Sequence, residues 1–350
     1  MNGAGKKSLF SRRGDMFTVV VISIAFVVLV VIVQLISGIV SGNVEYPSFI
    51  SPLNILNILM QVAGTGILVM GMTAIMIAGG IDLSVGMLVS MIGIFVAKSI
   101  KDWGIDVVQA IILAILIAVA VEAIMGFIIS RLNVESFIIT LGGMIAFKGI
   151  ALLICRSQEV TLNQNLEFFK TNLIEGAKTA DGLSLMLPIY VIVFFVITAI
   201  FWFVLKYTKF GRRVYAVGSN PQAAYLSGIN VKRIRLLTYV FNGLCAGIAG
   251  VLILARVNVG TISLGQNLEI DVIAAAVIGG VAMSGGKGSP MGSFIGVILM
   301  GAITNAMNIM RIQSEWQYFV KGLIIIIAVA GGALSAQISA RRQLKRIQEP

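Results

Sequence analysis

Uninterrupted apolar runs decide what this chain can become. Stretches at about 16–40, 53–75, 77–97, 107–130, 137–155, 186–206, 234–256, 269–284, 289–309 and 316–338 carry almost no charge. A helix needs about 20 apolar residues to cross a hydrocarbon core of about 30 Å. The spacing therefore predicts an all-α, polytopic membrane protein with about ten spans. The 350 residues are 58% hydrophobic and 12% charged, and no segment between the runs is long enough to build a second, soluble core. Residues 1–350 are read as one transmembrane domain, with both termini on the same side.

The N-terminus carries Lys6, Lys7, Arg12 and Arg13 before the first run. That run is too long for a secretory signal peptide, so it is expected as a retained first helix. Basic residues then recur after the fourth, sixth, eighth and tenth spans: Arg131; Lys206, Lys209, Arg212 and Arg213 with Lys232, Arg233 and Arg235; Lys287; and Arg341, Arg342, Lys345 and Arg346 at the end. Acids such as Glu45, Asp102, Asp106, Glu159 and Glu315 collect on the other side. The Lys/Arg bias places both termini in the cytoplasm and the chain in the cell (inner) membrane, among lipids. It also accounts for the net charge of +11 without nucleic acid as a partner.

Several chemistries are excluded early. The chain has no histidine, which removes imidazole bases and imidazole metal ligands. Cys155 and Cys245 sit in apolar runs without metal-site spacing, so neither a disulfide nor a metal site is expected. Gly285-Gly286-Lys287-Gly288 is not a phosphate loop, because Val281 stands where its first glycine belongs and Gly288 where its Ser or Thr belongs. No catalytic residue is expected.

Two connections are long. Residues 156–185 form an extracytoplasmic loop. Residues 207–234 form a basic cytoplasmic loop that holds a fully punctuated short helix over 221–227. Asn220 is a strong N-cap, Pro221 suits the first helical position, and Gly228 suits the left-handed residue beyond the end. Two turns of helix are marginal alone, so these signals describe a rigid knob held by tertiary contacts. Its apolar residues Ala223, Ala224, Tyr225 and Leu226 are expected to be exposed, either for a groove on another protein or as an ordinary surface turn.

The stretch 211–250 resembles the cytoplasmic loop and following helix of ribose/galactose-type ABC transporter permeases. Gly79-Gly80-Ile81-Asp82-Leu83-Ser84-Val85-Gly86 resembles that family's GGIDLSVG text. The stretches 136–143, 269–280 and 285–288 follow the family text in the same order. The resemblance covers almost the whole chain. It implies a permease that imports a small polar solute such as a monosaccharide. It also implies three kinds of partner: an ATP-binding cassette ATPase subunit, an extracytoplasmic solute-binding protein and a second permease copy. ATP and Mg would bind to the ATPase partner, with no cofactor in this chain. Residues 220–228 then correspond to a coupling helix that docks on the ATPase. Gln222 departs from the family's usual Glu, and with it any ion pair at that point.

Inside the membrane, Asp82 is either a cap for a helix starting at Leu83 or a group facing solute. Ser84, Asn57, Gln61, Thr140, Asn305 and Asn308 are further candidates for a translocation path. Glu122 and Lys148 lie at depths of about 13 and 17 Å on adjacent spans and are expected to form an ion pair. Gly288, Gly292 and Gly296, like Gly243 and Gly247, are spaced for close helix packing. Permeases for nucleosides, inositol or amino acids remain open, as does an ion-coupled secondary transporter. A membrane enzyme has no nucleophile motif or paired carboxylates to support it.

Overall fold

The computed structural model describes residues 49, 51–162, 166–171, 177–178, 184–185, 187–327 and 329–330. The expected first span at 16–40 and the basic C-terminal residues lie outside them.

Helix α1 (Pro52–Ile77) starts where its sequence says it should. Ser51 caps it by accepting from the Asn54 N–H, and Pro52 fills the first position. It ends in a Schellman motif: Gly79 takes φ 87°, its N–H donates to the Met76 carbonyl, and the Gly80 N–H donates to the Ile75 carbonyl. Helix α2 (Val85–Lys101) begins only after the break at 78–84. The expected span 77–97 is corrected accordingly: its first third is the break itself, because glycines at 79 and 80 end the preceding helix.

Next come α3 (Val107–Leu132) and α4 (Ser136–Cys155), joined by Asn133 in the left-handed region at φ 53°. Helix α5 (Ile189–Tyr207) leads into two short helices, α6 (Lys209–Ser219) and α7 (Pro221–Leu226). The long α8 (Val231–Val257), the short α9 (Leu268–Ile278) and α10 (Pro290–Ile309) follow, and a final described helix, α11, covers 314–327. Among the described residues, α1, α3, α4, α5, α8 and α10 are long and apolar enough to cross a membrane. The expected span at 269–284 is corrected. Helix α9 has 11 residues, about 16 Å, or half a bilayer core. It stops at a second Schellman motif, where Gly280 has φ 86° and the Val281 N–H donates to the Ala276 carbonyl. The two breaks, after α1 and after α9, are therefore capped alike.

Helix α8 is the axis of the bundle and packs on α1, α2 and α3. A Cβ at Gly243 would lie 2.7 Å from the Ala118 carbonyl oxygen, and one at Gly247 would lie 2.9 Å from the Ile115 Cα. Gly292 and Gly296 bring α10 against α9 in the same way, with a Cβ at Gly296 colliding with the Ala275 carbonyl. The outer faces of α3 and α4 present Leu116, Ile124, Phe127, Ile138, Ile145 and Leu153, all exposed and apolar, as a lipid-facing surface should.

After α8 the chain does not turn straight into another helix. Val259–Gly260 pairs antiparallel with Val160–Thr161, and Ile262–Gly265 forms a 3-10 turn. Gly260 lies against Ala97 and Ile94 of α2, Leu264 covers Gly93, and Gly265 meets the Gly86 backbone. The segment thus runs down α2 from Ala97 to Gly86, about 16 Å, before α9 begins. Ser90 pins it by donating to the Ile262 carbonyl at 2.7 Å and accepting from the Gly265 N–H at 2.9 Å.

Candidate functional site

The break at 78–84 leaves backbone groups that the membrane interior cannot hydrate, and neighbouring helices supply partners for them. From α4, Ser136 Oγ accepts from the Ile81 N–H at 3.0 Å, and Thr140 Oγ1 accepts from the Leu83 N–H at 3.1 Å. From α8, the Tyr239 hydroxyl donates to the Ile81 carbonyl at 3.5 Å. Asp82 accepts from the Ser84 N–H at 2.8 Å and the Ser84 hydroxyl at 2.6 Å through Oδ1. Through Oδ2 it accepts from Asn242 Nδ2 at 2.6 Å. Asp82 is not the cap of the next helix; Ser84 occupies that position. The carboxylate instead closes a local turn and ties it to α8.

Asp82, Ser84 and Thr140 come together here, and all three are 0% exposed. Their polar atoms bond to one another, to the backbone of the break and to Asn242. Below the break, a cavity of about 110 Å³ is lined by Gly79, Gly80, Ser136, Arg235 and Tyr239 among others.

The expected Glu122–Lys148 pair does not form. Glu122 is 0% exposed and meets Asp82, Asn242 and Ser84, with its Oε1 3.5 Å from Ser84 Oγ. Lys148 is exposed on the outside of α4. The two share a depth but face different ways, because helical rotation separates them. The ion pair that α9 does make is Asp271 with Lys321 of α11, at 2.9 Å. Sequence spacing alone had no means of finding it, because α9 and α11 are separated by all of α10.

The other path candidates lie elsewhere. Asn57 and Gln61 sit near the start of α1, and Asn305 and Asn308 near the end of α10. Asn57 and Asn308 are exposed, and Asn308 accepts from Gln317 at 3.0 Å. The Asn305 Oδ1 is buried without a partner. The expected set is therefore two groups at different levels of the bundle. Among the described residues no group of His, Cys, Asp and Glu is placed to hold a metal.

At the basic end, α7 has the predicted punctuation. Asn220 Oδ1 accepts from the Ala223 N–H at 3.0 Å, and Pro221 opens the helix. Gly228 has φ 78°, and the Ile229 N–H donates to the Ala224 carbonyl at 3.0 Å. Gln222, Ala223, Tyr225 and Leu226 are exposed, the last two at 71% and 84%. Ala224 is corrected: it is 4% exposed and points into the protein. Helix α6, absent from the sequence reading, roots this knob. Its Val214 and Val217 are buried, Tyr215 donates to the Gly288 carbonyl at 2.8 Å, and Gly218 lies against the Ile77 carbonyl.

A family model described as branched-chain amino acid transport system / permease component matches residues 54–329. The ribose import permease protein of Bacillus subtilis is 37% identical over 286 residues, 81% of this chain and 85% of the relative. Its Escherichia coli K12 counterpart is 33% identical over 308 residues, 87% of this chain and 91% of the relative. The xylose transport system permease protein of Haemophilus influenzae is 32% identical over 334 aligned positions, 81% of this chain and 89% of the relative. No solved structure matches.

Proposed function

Because the chain belongs to the family of branched-chain amino acid transport system permease components, we propose that it is the membrane-spanning subunit of an ATP-driven importer in the cell (inner) membrane, and that its solute is a monosaccharide. The sugar rests on the relatives, which are named for ribose and xylose. The coupling rests on one observation. A two-turn helix, capped at both ends, holds Tyr225 and Leu226 out from the basic end of the bundle. Exposed apolar residues on a rigid support fit a groove in a partner. The partner is an ABC ATPase that binds ATP and Mg, since this chain has no phosphate loop. A solute-binding protein delivers sugar at the opposite end, and a second permease copy completes the pore.

Force applied to α7 reaches α6 through Asn220, which ends one helix and caps the next. At Gly218, α6 abuts the end of α1. The test is uptake of labelled ribose or xylose into proteoliposomes holding this chain with its ATPase and binding protein. Uptake should require internal ATP and survive collapse of the proton gradient. Uptake that follows the proton gradient without ATP would instead make the chain a secondary carrier. Uptake of nucleoside, inositol or amino acid with no sugar uptake would replace the solute and keep the class.

A further inference from the structure

We propose that segment 261–267 lines the water-filled solute path and that Ser263 and Gln266 are hydrogen-bonding groups for a neutral, hydroxyl-rich solute. This rests on the importer reading above and names the wall of its pore.

The first observation is depth. Gly265 meets the Gly86 backbone, and Gly86 lies 15 residues, about 22 Å, along α2 from the end at Lys101. The hydrocarbon core is about 30 Å thick, so the segment reaches well inside it. Its backbone is not helical beyond one 3-10 turn. Irregular backbone at that depth persists only when buried in protein or facing a water-filled cavity. One side of the segment is packed on α2, while on the other side Ser263 and Gln266 are exposed. No described residue of this chain covers that side and lipid does not suit it, so it faces the aqueous path that the second permease copy completes.

A second, independent observation points the same way. Asp271 follows one turn later on α9 and pairs with Lys321, with side chains 27% and 17% exposed. A charged pair within a span faces the bundle interior or an aqueous cavity. The outer surfaces of α3 and α4 present apolar side chains at Leu116, Ile124 and Leu153, with Lys148 exposed among them.

The chemistry of the wall selects the solute class. Among the described residues, the Gln266 amide has no hydrogen-bond partner, and Ser263 Oγ meets only Thr261 Oγ1, at 3.4 Å. An amide and a hydroxyl offer donors and acceptors without net charge. A solute carrying several hydroxyls answers both. Asp82, by contrast, is sealed and has no free direction.

The experiment is thiol accessibility in the assembled transporter. Ser263→Cys and Gln266→Cys are made singly, with Leu116→Cys as the lipid-facing control. Cys155 and Cys245 are buried free thiols and give little background. A membrane-impermeant cationic methanethiosulfonate reagent is expected to label positions 263 and 266. Labelling should slow several-fold under saturating ribose or xylose, and position 116 should stay inert. Gln266→Ala should lower sugar uptake by about tenfold, the scale of one hydrogen bond to solute, with ATPase binding unchanged. Labelling at 263 and 266 no faster than at 116, in a transporter whose uptake still needs ATP, overturns the path and leaves the importer standing. Labelling at both positions with uptake independent of ATP supports the path and overturns the importer.

Discussion

Gly286 donates its backbone N–H to the Ile77 carbonyl at 2.8 Å, so the loop after α9 closes the C-terminal end of α1. Gly218 enters the same contact from α6, and a Cβ there would collide with that carbonyl. Gly285 adds a third close approach, 2.9 Å from its Cβ position to the Gly79 Cα. Three chain segments meet here backbone to backbone. Two of them are the helix breaks, and the third carries the exposed knob. A junction without side chains has little slack, so displacement of α6 passes directly to both breaks.

Gly218→Ala tests that junction. The new methyl group must force α6 away from Ile77, and overpacking of this kind costs about 1–3 kcal/mol. The variant is expected to insert and bind its ATPase, to unfold at lower temperature in detergent, and to hydrolyse ATP with most sugar uptake lost. Paired measurement of ATP turnover and uptake checks it. Full coupling in the variant would show that force takes another route.

Leu226→Glu separates docking from folding. Leu226 is 84% exposed and its replacement removes no internal contact, so thermal stability should change by less than about 0.5 kcal/mol. A charge in the apolar groove of a partner should weaken ATPase copurification at least about tenfold. Ala224 is the wrong position for this test, because it is buried and a charge there would damage the helix itself.

Helix starts and stops were legible because single residues encode them. Asn220, Pro221 and Gly228 each act within one turn, and their reading needs no knowledge of the fold. The extent of α9 was not legible. Residues 269–284 are apolar apart from Glu269, Asp271 and Ser284, and hydropathy alone does not register that Gly279-Gly280 ends the helix in a Schellman motif. Helix α6 was missed for the opposite reason: it is amphipathic and basic, with only Val214 and Val217 buried among its side chains, so it reads as a loop. Glu122 was assigned the wrong partner because sequence sets depth along a helix and leaves undetermined which helix each face meets.

Asp82 is predicted to hold the break in shape, and two substitutions separate shape from charge. Asp82→Ala leaves the Ser84 N–H, the Ser84 hydroxyl and the Asn242 amide without their acceptor. Each stranded group costs about 1–3 kcal/mol, so unfolding in detergent should occur many degrees lower and uptake should be lost. Asp82→Asn keeps an acceptor for Ser84. The Asn242 Oδ1 is buried without a partner, so rotation of that amide would let it accept from the new side chain. The asparagine variant should therefore keep most stability, and equal damage from both substitutions would point to a role for the charge itself.

Glu122 gives a test of the corrected contact. Its carboxyl meets Asp82 and Asn242, and Lys148 lies on the outer face of α4. A double-mutant cycle of Glu122→Gln with Lys148→Met, read by thermal unfolding in detergent, should be additive within about 0.3–0.5 kcal/mol. The cycle of Glu122→Gln with Asn242→Ala should depart from additivity by about 0.5–3 kcal/mol, because those side chains share the Asp82 network. The glutamine keeps the shape of the acid and supplies a donor toward Asp82, so the single variant should not unfold the protein. Coupling to Lys148 with none to Asn242 would reverse the assignment and return Glu122 to the lysine.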